Sequence, residues 1–148
     1  MVTEIQIREV QIQYGRKRKG SYDSVKGPSS AVNFLRKVAP NNSQEHVIAL
    51  YLDPAHQPIG YSIVSTGLAS SCPIHPREIF QRAIGLGAHS LILSHNHPSG
   101  RVDPSEEDRQ VTKQIKEAGK VLGIRLLDHI VFSDSGFYSF QESGELNF

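Results

Sequence analysis

A single cysteine, Cys72, stands in the 148-residue chain. One thiol cannot close an intramolecular disulfide and excludes a thiolate-rich zinc cluster, so the ligands of any bound metal must be histidine and carboxylate. Long apolar runs are also missing. Nothing approaches the roughly 18 consecutive apolar residues of a membrane span, and residues 1–14 alternate polar and apolar without the hydrophobic segment of a signal peptide. These absences predict a soluble, cytoplasmic protein with no membrane association. Low-complexity tracts and internal repeats are absent too, and 38% apolar with 21% charged residues is an ordinary globular composition. At this length one domain with one core is expected. The seven histidines then become the residues best able to carry chemistry.

Charge is nearly balanced, with 16 basic and 15 acidic residues, but its distribution is not. Residues 1–40 hold eight Lys or Arg against three acids, and half of these basic residues form the run Arg16-Lys17-Arg18-Lys19. The ordinary reading of such a run is a solvated loop tip. The alternative is contact with a polyanion such as DNA through those four side chains.

Periodicity divides the chain. Residues 4–14 alternate with one slip at Arg8-Glu9, as in an edge strand with a bulge. Pro28 opens a short amphipathic helix carrying Val32, Phe34, Leu35 and Val38, stopped by Pro40. Two β-rich runs, residues 46–52 and 59–64, flank a turn with two prolines and predict an antiparallel pair. A second helix spans residues 76–86, with proline in its first turn and Gly87 behind it. Residues 90–94 read as a short buried strand, residues 105–122 as a third helix closed by Gly123, and residues 124–132 and 137–140 as a closing hairpin. This order indicates a mixed sheet with helices packed on it.

The informative stretch is residues 94–108. His95 and His97, at i and i+2 near a strand end, point to the same side because strand side chains alternate, so they can share one metal. Asp108 lies in the first turn of the following helix, and a loop shaped by Pro98, Gly100 and Pro104 can fold that turn back beside the strand end. Three such ligands leave a fourth position for water on zinc, as catalytic sites do, and that water can ionise near neutral pH and attack a carbonyl. A His-x-His pair alone is shared with cupins, amidohydrolases and metallo-β-lactamases. The length excludes an amidohydrolase barrel, the helices exclude an all-β cupin, and Ser99 stands where a metallo-β-lactamase needs Asp.

His95, His97, Pro98, Ser105 and Asp108 match the JAMM (MPN+) metalloprotease motif, His-x-His-Pro, six residues, then Ser-x-x-Asp. With His75-Pro76-Arg77-Glu78-Ile79, Asn96, Ser99-Gly100, Pro104 and Asp128-His129-Ile130-Val131, the chain resembles the bacterial RadC family from about residue 28 to its C-terminus. The division expected is an N-terminal strand and basic loop over residues 1–27 and a RadC-like JAMM/MPN+ domain over residues 28–148. The resemblance implies an α/β, cytidine-deaminase-like JAMM/MPN fold, a mixed β-sheet with flanking helices. It implies a Zn2+ site of His95, His97, Asp108 and water, Ser105 helping to stabilise the oxyanion, and an upstream glutamate as general acid/base. Glu45 occupies the place of that glutamate, immediately before the strand at residue 46, with Glu78 the alternative. The expected activity is zinc-dependent hydrolysis of a peptide or isopeptide bond in a peptide or protein substrate. The rivals are a metal-dependent DNA nuclease and a non-catalytic zinc-stabilised binding module. No helix-hairpin-helix region precedes residue 28 in this sequence, which lowers the expectation of a DNA-repair role.

Each residue also has a plainer reading. Ser105 followed by three acids is what a helix N-terminus requires, so capping alone would explain Ser105 and Asp108. Glu78 suits a helix first turn for the dipole alone. His129, beside Asp128 in an apolar run, reads as a hydrogen-bonded core histidine sooner than a group behind the metal. His46, His56, His75 and His89 read as structural or exposed, and Cys72 as a small buried residue.

Overall fold

The computed structural model describes residues 22–67 and 74–147, with residues 9, 11 and 13 singly. The strand expected over residues 4–14, the run Arg16 to Lys19 and Cys72 therefore lie outside the described residues.

Eight elements follow one another: α1 (Pro28–Val38), β1 (His46–Leu52), β2 (Pro58–Thr66), α2 (Pro76–Leu86), β3 (Ser90–Asn96), α3 (Glu106–Leu122), β4 (Arg125–Phe132) and β5 (Phe137–Ser139). The helices begin and end where the punctuation predicts. Proline sits in the first turn of α1 and α2, Ser105 caps α3, and Gly87 and Gly123 take left-handed C-caps at φ 67° and 71°. The strands form one sheet in the order β2-β1-β3-β4-β5, in which β3 and β4 run parallel and the other neighbours antiparallel. Helix α3 supplies the crossover that a parallel pair requires.

Both faces of the sheet are covered. Ile48, Leu50, Leu52 and Ile92 face Val32, Leu35 and Val38 of α1, while Val47, Ala49, Tyr51, Leu91 and Leu93 face Ile79, Phe80 and Ala83 of α2 and Ile115 of α3. Burial on both sides explains why β1 and β3 read as near-continuous apolar runs where β2 does not. Strand β3 is two residues longer than expected. His95 and Asn96 continue its pairing with Val131 and Phe132, and cross-strand partners decide that extension where local hydrophobicity does not. Along α3, Gly119 lies so close to the start of β4 that a Cβ there would collide with the Ile124 carbonyl. None of the helices among the described residues is long and apolar enough to cross a membrane.

Candidate metal centre

The end of β3 brings the motif together. His95 is 2% exposed, and its Nε2 stands 3.1 Å from His97 Nε2 and 3.4 Å from Asp108 Oδ2. Glu45, just ahead of β1, sets Oε1 3.9 Å from His95 Nε2 and 4.0 Å from His97 Nε2. His97, Glu45 and Asp108 are 20%, 19% and 15% exposed, so the group opens to solvent on one side only.

Hydrogen bonds fix which ring nitrogens carry protons. The Asp108 carbonyl can only accept, so the Thr112 hydroxyl, 2.6 Å away, donates to it. The Thr112 oxygen then accepts Nδ1–H of His129 at 2.6 Å, which leaves His129 Nε2 to accept Nδ1–H of His95 at 3.0 Å. His95 is thereby held as the tautomer with a bare Nε2. Burial is the main cause that pushes His129 down to about 3 and keeps it neutral. His97 reaches the same state by a different route, donating Nδ1–H to the Arg101 carbonyl at 2.7 Å. That carbonyl belongs to a loop turned by Gly100 at φ 83°, whose N–H donates to the His97 carbonyl.

Two unprotonated imidazole nitrogens thus face each other at 3.1 Å, with an aspartate oxygen 3.4 Å from that of His95. Acceptors gathered this closely repel unless a cation lies among them, so the donor set fits a metal ion. The Asp108 carboxyl suits that role. Burial works to raise its pKa, but a positive charge at His95 Nε2, a proton standing where a cation would, together with the Ser105 N–H, outweighs burial and holds it below the usual carboxylate range.

Ser105 is the N-cap of α3. Its Oγ accepts Asp108 N–H at 3.1 Å while Asp108 Oδ2 accepts Ser105 N–H at 2.8 Å, a reciprocal capping box that aims Asp108 at His95. The capping box accounts for both residues and at the same time leaves Asp108 Oδ2 facing His95. Glu78 is exposed in the first turn of α2 and its carboxylate has no place in the His95, His97 group, whereas Glu45 Oε1 and the two imidazoles offer ligand atoms all within 4.8 Å of one another.

His129 is where sequence reasoning fell short. It is a buried core residue, as expected, but its ring also holds His95, and Phe140 stacks on its other side at 4.9 Å with the planes 9° apart. The available signal was Asp128-His129 inside an apolar strand. Asp128 shares in the support: its carboxylate accepts Ser139 O–H at 2.6 Å and Gln141 N–H at 3.0 Å, which ties the segment bearing Phe140 to β4.

Comparison with known proteins identifies the family of this fold. The RadC-like JAB domain family model matches residues 25–145. Similar curated proteins include the UPF0758 protein of Chlorobium chlorochromatii, 45% identical over 107 residues, which are 72% of this chain and 48% of that protein. Those of Rubrobacter xylanophilus and Bacillus licheniformis are 41% and 43% identical over 122 residues, 82% of this chain and 53% and 54% of theirs. The chain spans about half the length of the curated relatives it matches. The five-stranded mixed sheet with flanking helices is that of a JAB/MPN domain, and its donor set lies inside the matched region. The chain belongs to the RadC-like JAB domain family, whose fold is that of metal-dependent hydrolases.

Proposed function

We propose that the chain is a zinc-dependent hydrolase of amide bonds, with peptide or isopeptide bonds of protein substrates as its target. The observation that carries this reading is the pair of bare imidazole nitrogens 3.1 Å apart with Asp108 at 3.4 Å. Tetrahedral zinc with bonds of about 2.0–2.1 Å separates its ligand atoms by roughly 3.3 Å, close to both spacings. Zinc held there would supply an acidified water and polarisation of the scissile carbonyl.

The chain's own residues do the rest. Glu45, about 4 Å from both imidazoles and partly open to solvent, takes a proton as the carbonyl is attacked and returns it to the leaving nitrogen. Ser105 uses its oxygen as a cap and keeps its hydroxyl proton to donate to the developing oxyanion. His95 and His97 engage their Nδ1–H groups and so turn Nε2 toward the shared point.

The test offers the zinc-loaded chain a panel of peptides, isopeptide-linked peptides and DNA, with Glu45→Gln as control. Amide cleavage that falls about a hundredfold or more in Glu45→Gln, with zinc retained, is the expected result. Loss of zinc in that variant would make Glu45 a ligand, and full activity there with a dead Glu78→Gln would move the role to Glu78. Cleavage of DNA alone would replace the reading with phosphodiester hydrolysis, for which the basic run at residues 16–19 is the sequence support.

A further inference from the structure

Asn96 stands between the two histidines, and strand alternation turns it away from the point they share. It is buried, and nothing in the reaction outlined above uses it. The antiparallel register pairs Val47 with His95, so the next rung would set His46 opposite Asn96. There the Asn96 side chain takes over from the backbone ladder. Its Oδ1 accepts the His46 N–H at 2.7 Å, and its Nδ2 donates to the Gln44 carbonyl at 2.9 Å. A carboxamide carries the donor and acceptor of a peptide unit, so it extends the sheet bonding one rung further. The two groups it holds are the carbonyl before Glu45 and the N–H after it. From the other side, the Gly67 N–H donates to the Glu45 carbonyl at 2.9 Å. Glu45 itself lies outside β1, and these bonds hold the backbone on both sides of it.

We propose that Asn96 is the positioning residue for Glu45: by clamping both peptide units that flank it, the carboxamide sets the Glu45 carboxylate at nearly equal distances from the two imidazoles. The inference rests on the reading of Glu45 as the acid/base. It accounts for the residue type, since aspartate offers no donor to the Gln44 carbonyl, alanine reaches neither group, and glutamine is one methylene too long for this rung.

The experiment compares the full zinc-loaded chain with Asn96→Ala, Asn96→Asp, Glu45→Gln and the combined Asn96→Ala, Glu45→Gln variant. Amide hydrogen exchange reads the clamp without catalysis. In Asn96→Ala the His46 N–H should exchange at least about tenfold faster, with Leu50 unchanged and zinc still bound, and an unchanged His46 rate would overturn the clamp. Turnover reads the consequence. Asn96→Ala should lower kcat about tenfold or more with KM within about twofold, and should lower it no further once Glu45 is Gln, because a residue acting through Glu45 then has nothing to act on. Losses that multiply would overturn the inference and leave the acid/base reading intact, whereas a fully active Glu45→Gln would remove both. Cobalt(II) in place of zinc carries the same cycle without substrate: the visible absorption at one fixed pH should move on Glu45→Gln and in the same direction on Asn96→Ala. A band that answers Glu45→Gln but not Asn96→Ala overturns the inference alone. Should Asn96→Ala fail to fold, the nearly isosteric Asn96→Asp replaces the bond to Gln44 with two opposed acceptor oxygens while keeping the bond to His46, and is read by turnover and the cobalt band.

Discussion

His95 and His97 are two residues apart, and they are held by different kinds of structure. His95 is anchored inward, through His129 and Thr112 to the backbone of α3, with every link buried or nearly so. His97 is anchored outward, by one bond to the carbonyl of an exposed loop residue. Glu45 and Ser105 belong with His97 on the open side. The buried half fixes the orientation of His95 through side chains that cannot rearrange without breaking the core, and the open half is where the proposed reaction would admit a substrate and move protons. One half is built for precision and the other for access.

The largest expected effect comes from the proposed ligands. Replacing His95, His97 or Asp108 with Ala should take zinc from about one ion per chain to a small fraction, measured on the protein as purified. The halves should then separate in the metal-free state. His95→Ala strands the His129 acceptor and opens a buried cavity, for a loss of about 2–4 kcal/mol in chemical denaturation, while His97→Ala should lose less than about 1 kcal/mol. Equal losses would break the comparison.

His129→Phe keeps a ring against Phe140 but removes the acceptor for His95. Zinc affinity should fall about 10- to 100-fold, with Thr112→Val weaker in the same direction, as read by competition with a chelator. Unchanged affinity in both would mean that the buried links do not orient His95.

Asp128 sharpens the comparison from the supporting side. Burial is the main cause that raises its pKa to about 6, against the hydrogen bonds from Ser139 and Gln141. An acid with a raised folded-state pKa binds its proton more tightly when folded, so its contribution is fully present below about pH 4 and is lost as pH rises through 6. Denaturation between pH 4 and 7 should show about 2 kcal/mol of this decline in the parent and little of it in Asp128→Asn.

The smallest effect concerns the proposed DNA contact through Arg16, Lys17, Arg18 and Lys19. Four charges can displace counterions from at most about four phosphates, so log affinity should fall against log salt no more steeply than about −4. Replacing all four with Ser should flatten that dependence and leave zinc content alone. Binding that ignores the replacement would remove the sequence support for a nuclease.

The elements and the two-histidine pair were legible because both follow local rules: periods of two and 3.6, proline and glycine at helix ends, and strand alternation that points i and i+2 the same way. Turn chemistry allowed Asp108 to fold back beside that pair, and the resemblance supplied what local rules do not, namely that Glu45 joins it. His129 was only half legible. It meets His95 because β3 and β4 are parallel in a register that sets Leu93 against His129 and His95 against Val131, and that register depends on how α3 returns the chain to the sheet. No pattern within ten residues of His129 carries that information. Asn96 escaped for a related reason, since its two bonds lie 50 and 52 residues away in sequence.

The bare Cα of Gly119 also bears on the metal. Where it lies against Ile124, helix and strand meet with no spacer, and from there α3 runs back about 16 Å, at 1.5 Å per residue, to Asp108. The helix acts as a lever whose fulcrum is Gly119 and whose tip is Asp108, a proposed metal ligand. Metal sites tolerate errors of only about 0.2 Å, so even a slight tilt forced by a side chain at the fulcrum would be felt at the tip. A methyl group at position 119 should therefore register first as weakened zinc binding, in a protein whose ligands are all still present.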